Sequence, residues 1–218
     1  MVDRYFKRLL DLVAALLSII ILSPILISIA SMVLIFDGRP VIYSQRRVGR
    51  NFKPFSIYKF RTMSNGASLI RDGLQVKKDD VRVTMLGRIL RKTSLDELPQ
   101  LFNLLLGDVS IVGPRACLPE QIPYFNKKQC HRFKVRPGIT GLAIIKGRAS
   151  IPWSRRLRWD RVYVKRQSVA LDLYIIVRTF LVVLFGKNIY YDHEKNGPAF
   201  DLADPHNLPQ ATKSEQEK

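Results

Sequence analysis

The sequence is poor in acidic residues and in metal-binding side chains. Its 218 residues include 18 Asp and Glu against 36 Lys and Arg, a formal net charge of +18. An excess of this size predicts an anionic partner, either nucleic acid, an acidic membrane surface or a phosphorylated substrate. The two cysteines, Cys117 and Cys130, exclude a multi-disulfide scaffold and indicate a reducing compartment. Cys130 is followed by His131, but no second spaced pair accompanies them to complete a zinc site.

Charged side chains are absent from residues 12–36, an apolar run of about 25 residues that is long enough to cross a bilayer as a helix. The run is too long for the core of a signal peptide, and no small-residue cleavage site follows it. Ser23-Pro24 lies near its middle, where proline predicts a kink. Basic clusters flank both ends, so the positive-inside rule favours both ends in the cytoplasm. These residues alone fit a kinked span and a re-entrant helix equally well.

The segments after the apolar run alternate between strand and helix patterns. Residues 40–63 alternate β-branched or aromatic residues with basic ones, which predicts a hairpin turned at Arg50-Asn51. Residues 64–80 are polar and contain two glycines, as a loop would. Basic residues 81–93 and residues 118–133 are predicted to be helical. Residues 135–148 contain four Pro and Gly residues and predict turns with close backbone approaches.

The C-terminal part predicts two helices of different character. Residues 153–167 carry six basic residues, two tryptophans and one acid, Asp160, which predicts a basic amphipathic helix at a membrane interface. Nucleic-acid binding is the rival interpretation, but no recognised nucleic-acid motif accompanies the pattern. Residues 171–185 form an apolar helix that is too short and too charged to span, so it is either core or interfacial. Residues beyond 196 are predicted to be a disordered polar tail.

The stretch "TSLDELPQLFNLLLGDVSIVGPR", residues 93–115, places two carboxylates side by side at Asp96 and Glu97. Ser94 and Glu97 fit a capping box, with acids in the first turn where the helix dipole favours them. Leucines at helical spacing follow, which predicts a helix that begins at Ser94. A catalytic carboxylate pair is the alternative. On this stretch alone the capping interpretation is favoured.

Four motifs in order make the chain resemble the bacterial sugar transferases, in particular the small monotopic phosphoglycosyl transferases. They are "KRLLDLVAALLSIIILSP", "YSQRRVGRNFKPFSIYKFRTM", "SLDELPQLFNLLLGDVSIVGPR" and "VRPGITG". The likeness extends over residues 5–187. The resemblance implies an enzyme that moves a sugar-1-phosphate from a UDP-sugar to a polyprenyl phosphate, with Mg²⁺ as cofactor and a bilayer as its surroundings. No nucleic acid is implied, and a homodimer is one option for the assembly.

The resemblance also implies a fold and a location. The fold is α+β and helix-rich, with a re-entrant membrane helix in residues 1–37 that is broken at Ser23 and Pro24. A catalytic domain with interfacial amphipathic helices and a small hairpin follows in residues 38–190, and residues 191–218 form the tail. The protein is expected in the bacterial inner (cytoplasmic) membrane, with its catalytic domain facing the cytoplasm.

By the same resemblance, Asp96 is the nucleophile that carries a covalent phosphosugar, and Glu97 completes a catalytic dyad. Both are candidate Mg²⁺ ligands, and the basic residues that match those around the family's phosphates are Lys59, Arg61, Arg91, Arg115 and Arg148. An attacking carboxylate must be ionised, so we expect a helix N-terminus and nearby arginines to keep the pKa of Asp96 low. The free N–H groups of that terminus would also contact phosphate.

Two positions depart from the family pattern. Ala116 replaces the proline that usually follows "GPR", and "GITGLAIIKGR" replaces "GITGWAQVNGR". Both lie near the expected sugar and phosphate pocket, so the reaction class is predicted but the sugar and the glycan pathway are not. The alternatives to an enzyme are a membrane-anchored adaptor without catalysis and a membrane-anchored nucleic-acid-binding protein.

Overall fold

The computed structural model describes residues 4–64, 66, 80–147 and 151–184. Six helices and two small two-stranded sheets make up this part of the chain, which confirms the predicted helix-rich α+β class. The helices are α1 (Arg4–Phe36), α2 (Met85–Thr93), α3 (Gln100–Leu106), α4 (Leu142–Ile145), α5 (Trp153–Arg166) and α6 (Val169–Leu184). The strands are β1 (Ile42–Val48), β2 (Pro54–Phe60), β3 (Ser110–Val112) and β4 (Gly138–Thr140).

Helix α1 is the one helix in the described ranges that is long and apolar enough to cross a membrane, and only 11% of its most apolar window is buried. The helix continues through Pro24. Proline has no N–H to donate to the carbonyl four residues earlier, at Ile20. The Ser23 hydroxyl donates to that carbonyl at 2.8 Å and so replaces the missing donor. The interruption predicted at Ser23-Pro24 is therefore not confirmed.

The N-terminal end of α1 is bound to the rest of the protein through its charged side chains. The Lys7 ammonium donates to the Val112 carbonyl at 3.1 Å and pairs with the Asp172 carboxylate on α6. One Asp11 carboxylate oxygen accepts the N–H of Ile111 at 3.0 Å. These contacts hold the start of the helix against strand β3 and helix α6.

The C-terminal half of α1 packs on different elements. Ile29 and Val33 are buried together with Phe60 of β2 and Leu90 of α2. No residue from 16 to 28 is buried to the same extent. Both ends of α1 therefore contact the folded part of the protein, while the segment around Pro24 does not form part of a core.

The predicted hairpin is confirmed. Strands β1 and β2 pair antiparallel from Ile42 opposite Phe60 to Val48 opposite Pro54. The chain reverses in a short 3-10 turn at Arg50–Phe52, where Asn51 takes a left-handed conformation with φ 54°. Asparagine tolerates this conformation better than most residues, which explains the position of the turn.

The close backbone approaches predicted for residues 135–148 are also present. Strand β4 pairs parallel with β3, and a side chain at Gly138 would lie 2.0 Å from the backbone nitrogen of Gly113. Such a contact is impossible, so glycine is required where the two segments cross. The segment between these strands carries Arg115, and its course is thereby constrained.

The helix predicted over residues 118–133 is wrong in detail. The segment forms two separate 3-10 turns, Pro119–Tyr124 and Gln129–Lys134. Pro123 lies inside the first turn, and proline cannot supply the backbone donor that a continuous α-helix requires. Most of the predicted loop at residues 64–80 and the tail beyond residue 184 lie outside the described residues.

The two C-terminal helices agree with their predicted character. Helix α5 is basic, and it buries Leu157, Asp160 and Tyr163 on one face. Helix α6 contributes Ile175, fully buried, to the same core, while large apolar side chains such as Phe180 remain exposed on its other side. Helix α6 is thus partly core, and its outer face is free to meet an apolar environment.

Candidate active site

The two adjacent carboxylates lie in a short connection between α2 and α3. Helix α2 ends at Thr93, and Ser94 then takes a left-handed conformation with φ 61° that turns the chain. Leu95 and Leu98 pack against the core formed by α1, α2 and β2. The segment between these two leucines is therefore fixed at both ends, and it carries Asp96 and Glu97.

The predicted capping box is not formed. Ser94 makes no side-chain capping hydrogen bond, residues Leu95–Glu97 form a 3-10 turn, and α3 begins only at Gln100. The N–H of Glu97 already donates to the Ser94 carbonyl at 3.2 Å, as the N–H of Leu98 does to Leu95. The predicted start of an α-helix is therefore a 3-10 turn, in which the N–H groups of Glu97 and Leu98 are already used. The capping box is absent because Ser94 is left-handed, whereas an N-cap residue requires an extended conformation.

Glu97 accepts two charged donors on one carboxylate oxygen. The Lys59 ammonium lies 2.6 Å and the Arg115 guanidinium 2.8 Å from Oε1. No hydrogen bond from a described residue reaches Oε2. Burial alone would raise the pKa of Glu97, but the charges of Arg115 and Lys59 and their hydrogen bonds outweigh it and hold the pKa well below its ordinary value. Glu97 is therefore a fixed anion.

Asp96 has a different environment. It is 8% exposed, and within the described ranges no hydrogen bond or ion pair reaches its carboxylate. Burial, and then the charge of Glu97, raise its pKa to about 6, although nearby basic residues oppose the shift. The low pKa predicted from a helix N-terminus and arginines is therefore wrong, because burial outweighs both. A buried carboxylate without a partner is costly to keep, which is typical of a reactive group rather than a structural one.

The hairpin is aligned with the carboxylates by a buried asparagine that the sequence analysis did not single out. Asn103 of α3 is fully buried, and its side chain donates to the Ser56 carbonyl at 2.7 Å and accepts the N–H of Tyr58 at 3.0 Å. These bonds join α3 to β2 next to Lys59. The only sequence signal was a polar residue on the apolar side of a predicted helix.

Three of the five predicted basic residues surround the carboxylates. Lys59 and Arg115 contact Glu97 directly, and the charge of Arg91 acts on Asp96. The Arg91 side chain also donates to the Thr62 hydroxyl at 2.8 Å. Arg148 lies outside the described residues, and its predicted phosphate contact stays a prediction.

Arg61 lies elsewhere. Its guanidinium is buried and donates to the carbonyl oxygens at the end of α1, including Arg39 at 2.6 Å and Gly38 at 2.8 Å. Basic side chains at a helix C-terminus satisfy carbonyls that have no intrahelical partner. These contacts give Arg61 a structural role in joining α1 to the hairpin. We do not include it in the proposed phosphate-binding set.

The two carboxylates fit Mg²⁺ binding. Oε2 of Glu97 and both oxygens of Asp96 have no described partner, so acceptor oxygens are available side by side. No group of three or more His, Cys, Asp or Glu side chains occurs in the described part of the chain. Mg²⁺ commonly uses one or two protein carboxylates and takes its other ligands from substrate phosphates and water. The pair therefore suits a magnesium ion that arrives with a phosphorylated substrate.

The sequence analysis also did not predict a buried ion pair that contacts the Arg115 backbone. Arg132 and Asp160 lie 3.0 Å apart, and the Arg132 guanidinium donates to the Arg115 backbone carbonyl. Burial raises the pKa of Asp160 to about 6 against the opposing charge of Arg132. Asp160 was noted in the sequence as the single acid of a basic helix, which was the available signal. The pair connects α5 to the loop that carries Arg115.

Comparison with known proteins agrees with this geometry. The family model described as bacterial sugar transferase matches residues 2–186. The chain belongs to the bacterial sugar transferase family. This confirms the resemblance found in the four sequence motifs and the prediction of a transferase enzyme. The match includes every described element, from α1 to α6.

Several characterised or named proteins are similar along most of the chain. An uncharacterized sugar transferase of Bacillus subtilis, EpsL, is 44% identical over 84% of this chain and 89% of its own length. The UDP-glucose:undecaprenyl-phosphate glucose-1-phosphate transferase of Klebsiella pneumoniae is 40% identical over 87% of this chain. The undecaprenyl-phosphate galactose phosphotransferase of Salmonella typhimurium is 38% identical over 86%. This chain matches 42% of the length of each of the last two proteins.

Proposed function

We propose that this sugar transferase moves a sugar-1-phosphate from a UDP-sugar to a polyprenyl phosphate such as undecaprenyl phosphate. The products are UMP and a polyprenyl-diphosphate-sugar, the first membrane-bound intermediate of a glycoconjugate. The observation that carries the proposal is the buried Asp96 carboxylate, which has no described partner and stands beside a Glu97 held by two cations. The names of the Klebsiella and Salmonella relatives support the same reaction class.

Asp96 acts as the nucleophile in this proposal. One of its oxygens attacks the sugar-linked phosphorus of the donor, the bond from that phosphorus to the bridging oxygen breaks, and UMP leaves. The sugar phosphate is then held on Asp96 as an acyl phosphate. An oxygen of polyprenyl phosphate attacks the same phosphorus, and the carboxylate is released. Asp96 accepts no hydrogen bond from a described residue, so no such bond has to break before it attacks.

Lys59 and Arg115, which Glu97 holds in place, provide the positive charge that this reaction requires. Phosphoryl transfer depends mainly on positioning and on neutralisation of phosphate charge. Arg115 is half exposed, at 50%, so its guanidinium can reach a bound phosphate while it still contacts Glu97. The charge of Arg91 also acts on Asp96. Mg²⁺, when bound by the two carboxylates, supplies further positive charge to the diphosphate oxygens.

We also propose that α1 is a re-entrant helix whose two ends lie on the cytoplasmic side of the inner membrane. Lys7 and Asp11 bind one side of the folded domain, and Ile29 and Val33 pack on another part of it. A helix that crossed the bilayer would separate its two ends by the membrane, and the domain could not contact both. The exposed apolar segment around Pro24 then enters the bilayer, where the lipid acceptor has its tail.

Topology is tested by labelling with a thiol reagent that cannot cross the membrane. Single cysteines at Asp3 and at exposed Ser44 should both be protected in intact cells and labelled after the inner membrane is permeabilised. The unsubstituted protein provides the background from Cys117 and Cys130. Labelling of either new cysteine from the periplasm would show a true span and overturn the re-entrant proposal.

The reaction is tested with purified protein in lipid and a panel of UDP-sugars. With Mg²⁺ and polyprenyl phosphate present, at least one donor should release UMP and yield a lipid-linked sugar diphosphate. Asp96→Asn protein, prepared in parallel, controls for contaminating hydrolases. If no donor gives UMP above this control, the proposed function is contradicted.

A further inference from the structure

One row of polar side chains on the hairpin is not used by the chemistry described above. Tyr43 pairs with Lys59 across the two strands, and Gln45 and Arg47 follow at alternate positions of β1. Alternate residues of a strand project to the same face, and so do directly paired residues. Tyr43, Gln45 and Arg47, which we call the β1 row, therefore share the face of Lys59, whose ammonium contacts Glu97.

Arg47 is the member of this row that has a buried donor without a partner among the described residues. Its Nη2 donates to Oε1 of Gln45 at 2.6 Å, and its Nη1 donates to the Ala116 carbonyl at 3.3 Å, which is long for such a bond. The buried donor is its Nε, for which no described residue is an acceptor. No carboxylate among the described residues forms an ion pair with it. A guanidinium in this state has donors left for an anion.

The positive charges around Arg47 also favour the binding of an anion. Burial, and then the neighbouring Arg115, lower the pKa of Arg47 to about 10, so two guanidiniums lie close enough to repel. Arg47, Lys59, Arg91 and Arg115 are four cations around the two carboxylates of Asp96 and Glu97. The excess is two positive charges, which is the charge that a bound diphosphate would compensate.

We propose that Arg47 and Arg115 together bind the diphosphate of the nucleotide donor, with Gln45 holding Arg47 in position. This inference rests on the proposed function and adds a substrate-binding residue to it. A guanidinium matches a phosphate with parallel N–H donors, and two adjacent guanidiniums suit two linked phosphates.

The positions of Arg115 and Arg47 relative to Asp96 indicate which phosphate each arginine binds. The basic residues that act on Asp96 are Lys59, Arg91 and Arg115, whereas Arg47 acts with Arg115 and Glu97. Arg115 contacts Glu97, the neighbour of Asp96, and Arg47 contacts the carbonyl of Ala116, the neighbour of Arg115. In this series of contacts Arg115 comes between the carboxylate pair and Arg47. With Asp96 directed at the sugar-linked phosphorus, Arg47 reaches the phosphate that leaves with uridine. It stabilises the negative charge that UMP gains when the bridging bond breaks.

The test compares Arg47→Gln with Arg46→Gln. Arg46 is the preceding residue, is exposed, and projects from the opposite face of β1, so its variant removes the same charge away from the site. The donor KM, the acceptor KM and kcat are measured with a UDP-sugar that wild type turns over. Equilibrium binding of UDP is measured separately, without turnover. In Arg47→Gln we expect the donor KM and the Kd of UDP to rise about 10-fold or more, since a charge-assisted contact is lost.

The acceptor KM of Arg47→Gln should stay within about twofold of wild type, and Arg46→Gln should match wild type in every constant. A purely structural Arg47 would instead lower the melting temperature and leave the Kd of UDP unchanged. That result, or equal effects of the two variants, overturns the inference. If Arg47→Gln does not fold, Arg47→Lys replaces it, because lysine keeps the charge and loses the forked donors. It should still weaken UDP binding several-fold, and an unchanged Kd counts against the inference.

Failure of the proposed function gives a different result. In that case wild type releases no UMP from any UDP-sugar, whatever the Arg47 variants show. If wild type turns over and Arg47→Gln binds UDP normally, only the role of Arg47 is refuted.

Discussion

Two aspartates in this protein are similarly buried and differ in their bonding. Asp96 is 8% exposed and Asp160 is 3% exposed, and burial raises the pKa of each to about 6. Asp160 forms an ion pair with Arg132 at 3.0 Å. Asp96 has no described hydrogen bond or ion pair. Burial alone therefore does not mark a reactive carboxylate, whereas burial without a partner does.

The two sites also differ in what surrounds them. Arg132 lies over the rings of Phe125, Phe133 and Trp153, so the pair with Asp160 is enclosed by aromatic side chains. The cations near Asp96 are directed at Glu97 instead, and Arg115 is half exposed. The first arrangement stabilises a fixed junction between α5 and the Arg115 loop. The second leaves Asp96, the proposed nucleophile, and a charged surface available to a ligand.

The largest expected effect is on turnover in Asp96→Asn. The amide keeps the size of the side chain but cannot form the acyl phosphate, so kcat should fall by roughly 10⁴-fold or more. The melting temperature should be unchanged or higher, because a buried unpaired carboxylate is removed. Steady-state UMP release and thermal unfolding of the same preparation measure both. Activity above about one hundredth of wild type would exclude Asp96 as the nucleophile.

Glu97→Gln should reduce turnover by about 10²- to 10³-fold, less than the Asp96 variant. Glutamine offers one neutral acceptor to Lys59 and Arg115, so both cations lose their charged partner and the Mg²⁺ affinity falls. The Mg²⁺ concentration for half-maximal rate should rise in parallel. A variant with wild-type kcat and wild-type Mg²⁺ dependence would contradict the role given to Glu97.

Asp160→Asn should affect stability rather than chemistry. Removal of one partner leaves Arg132 buried and unpaired, which we expect to cost about 3 kcal/mol of unfolding free energy. Urea unfolding of the detergent-solubilised protein measures the change. The double variant Arg132→Met/Asp160→Leu should recover part of the loss, because no buried charge remains. A loss below about 1 kcal/mol would mean that the Asp160 ion pair stabilises the fold no more than an ordinary surface pair, and would contradict its structural role.

The smallest expected effect is a pH dependence of the first half-reaction. Asp96 must be ionised to attack, and its pKa is raised to about 6, so kcat/KM for UMP release should fall about tenfold per unit as the pH drops below this value. A bound cation favours the carboxylate, so more Mg²⁺ should shift the midpoint to lower pH. Asp160→Asn should keep the same profile. A rate that is independent of pH from about 5 to 7 would contradict the environment described for Asp96.

Local patterns predicted the hairpin and helices α2, α5 and α6 well, because alternation and helical periodicity are properties of short segments. The capping box failed for a tertiary reason. Leu95 and Leu98 both pack on the core formed with α1, and Ser94 turns left-handed where the chain leaves α2 for this segment. The pKa of Asp96 was misjudged for a similar reason, since its burial depends on elements distant in sequence.

The family resemblance predicted the site residues, and the structure brings most but not all of them together. Asp96, Glu97, Lys59 and Arg115 lie together as predicted, but Arg61 is used at the end of α1. Lys59 and Arg61 look alike in sequence, but Lys59 lies within β2, whereas Arg61 follows the end of that strand and donates to the carbonyls after α1. The strand alternation that puts Lys59 on the side of the carboxylates also puts Arg47 there. The position of Arg47 could therefore have been predicted from the hairpin motif.

The most direct test of the account is the state of Asp96 after the enzyme meets its donor without an acceptor. Wild-type protein is incubated with Mg²⁺ and a UDP-sugar already shown to turn over when polyprenyl phosphate is present. About one UMP per active site should be released, and intact-mass analysis should show one added sugar phosphate, which peptide mapping should locate at Asp96. Asp160→Asn protein that remains folded should give the same adduct. If the protein stays unmodified and UMP appears only after polyprenyl phosphate is added, Asp96 is not the covalent nucleophile and the account is wrong.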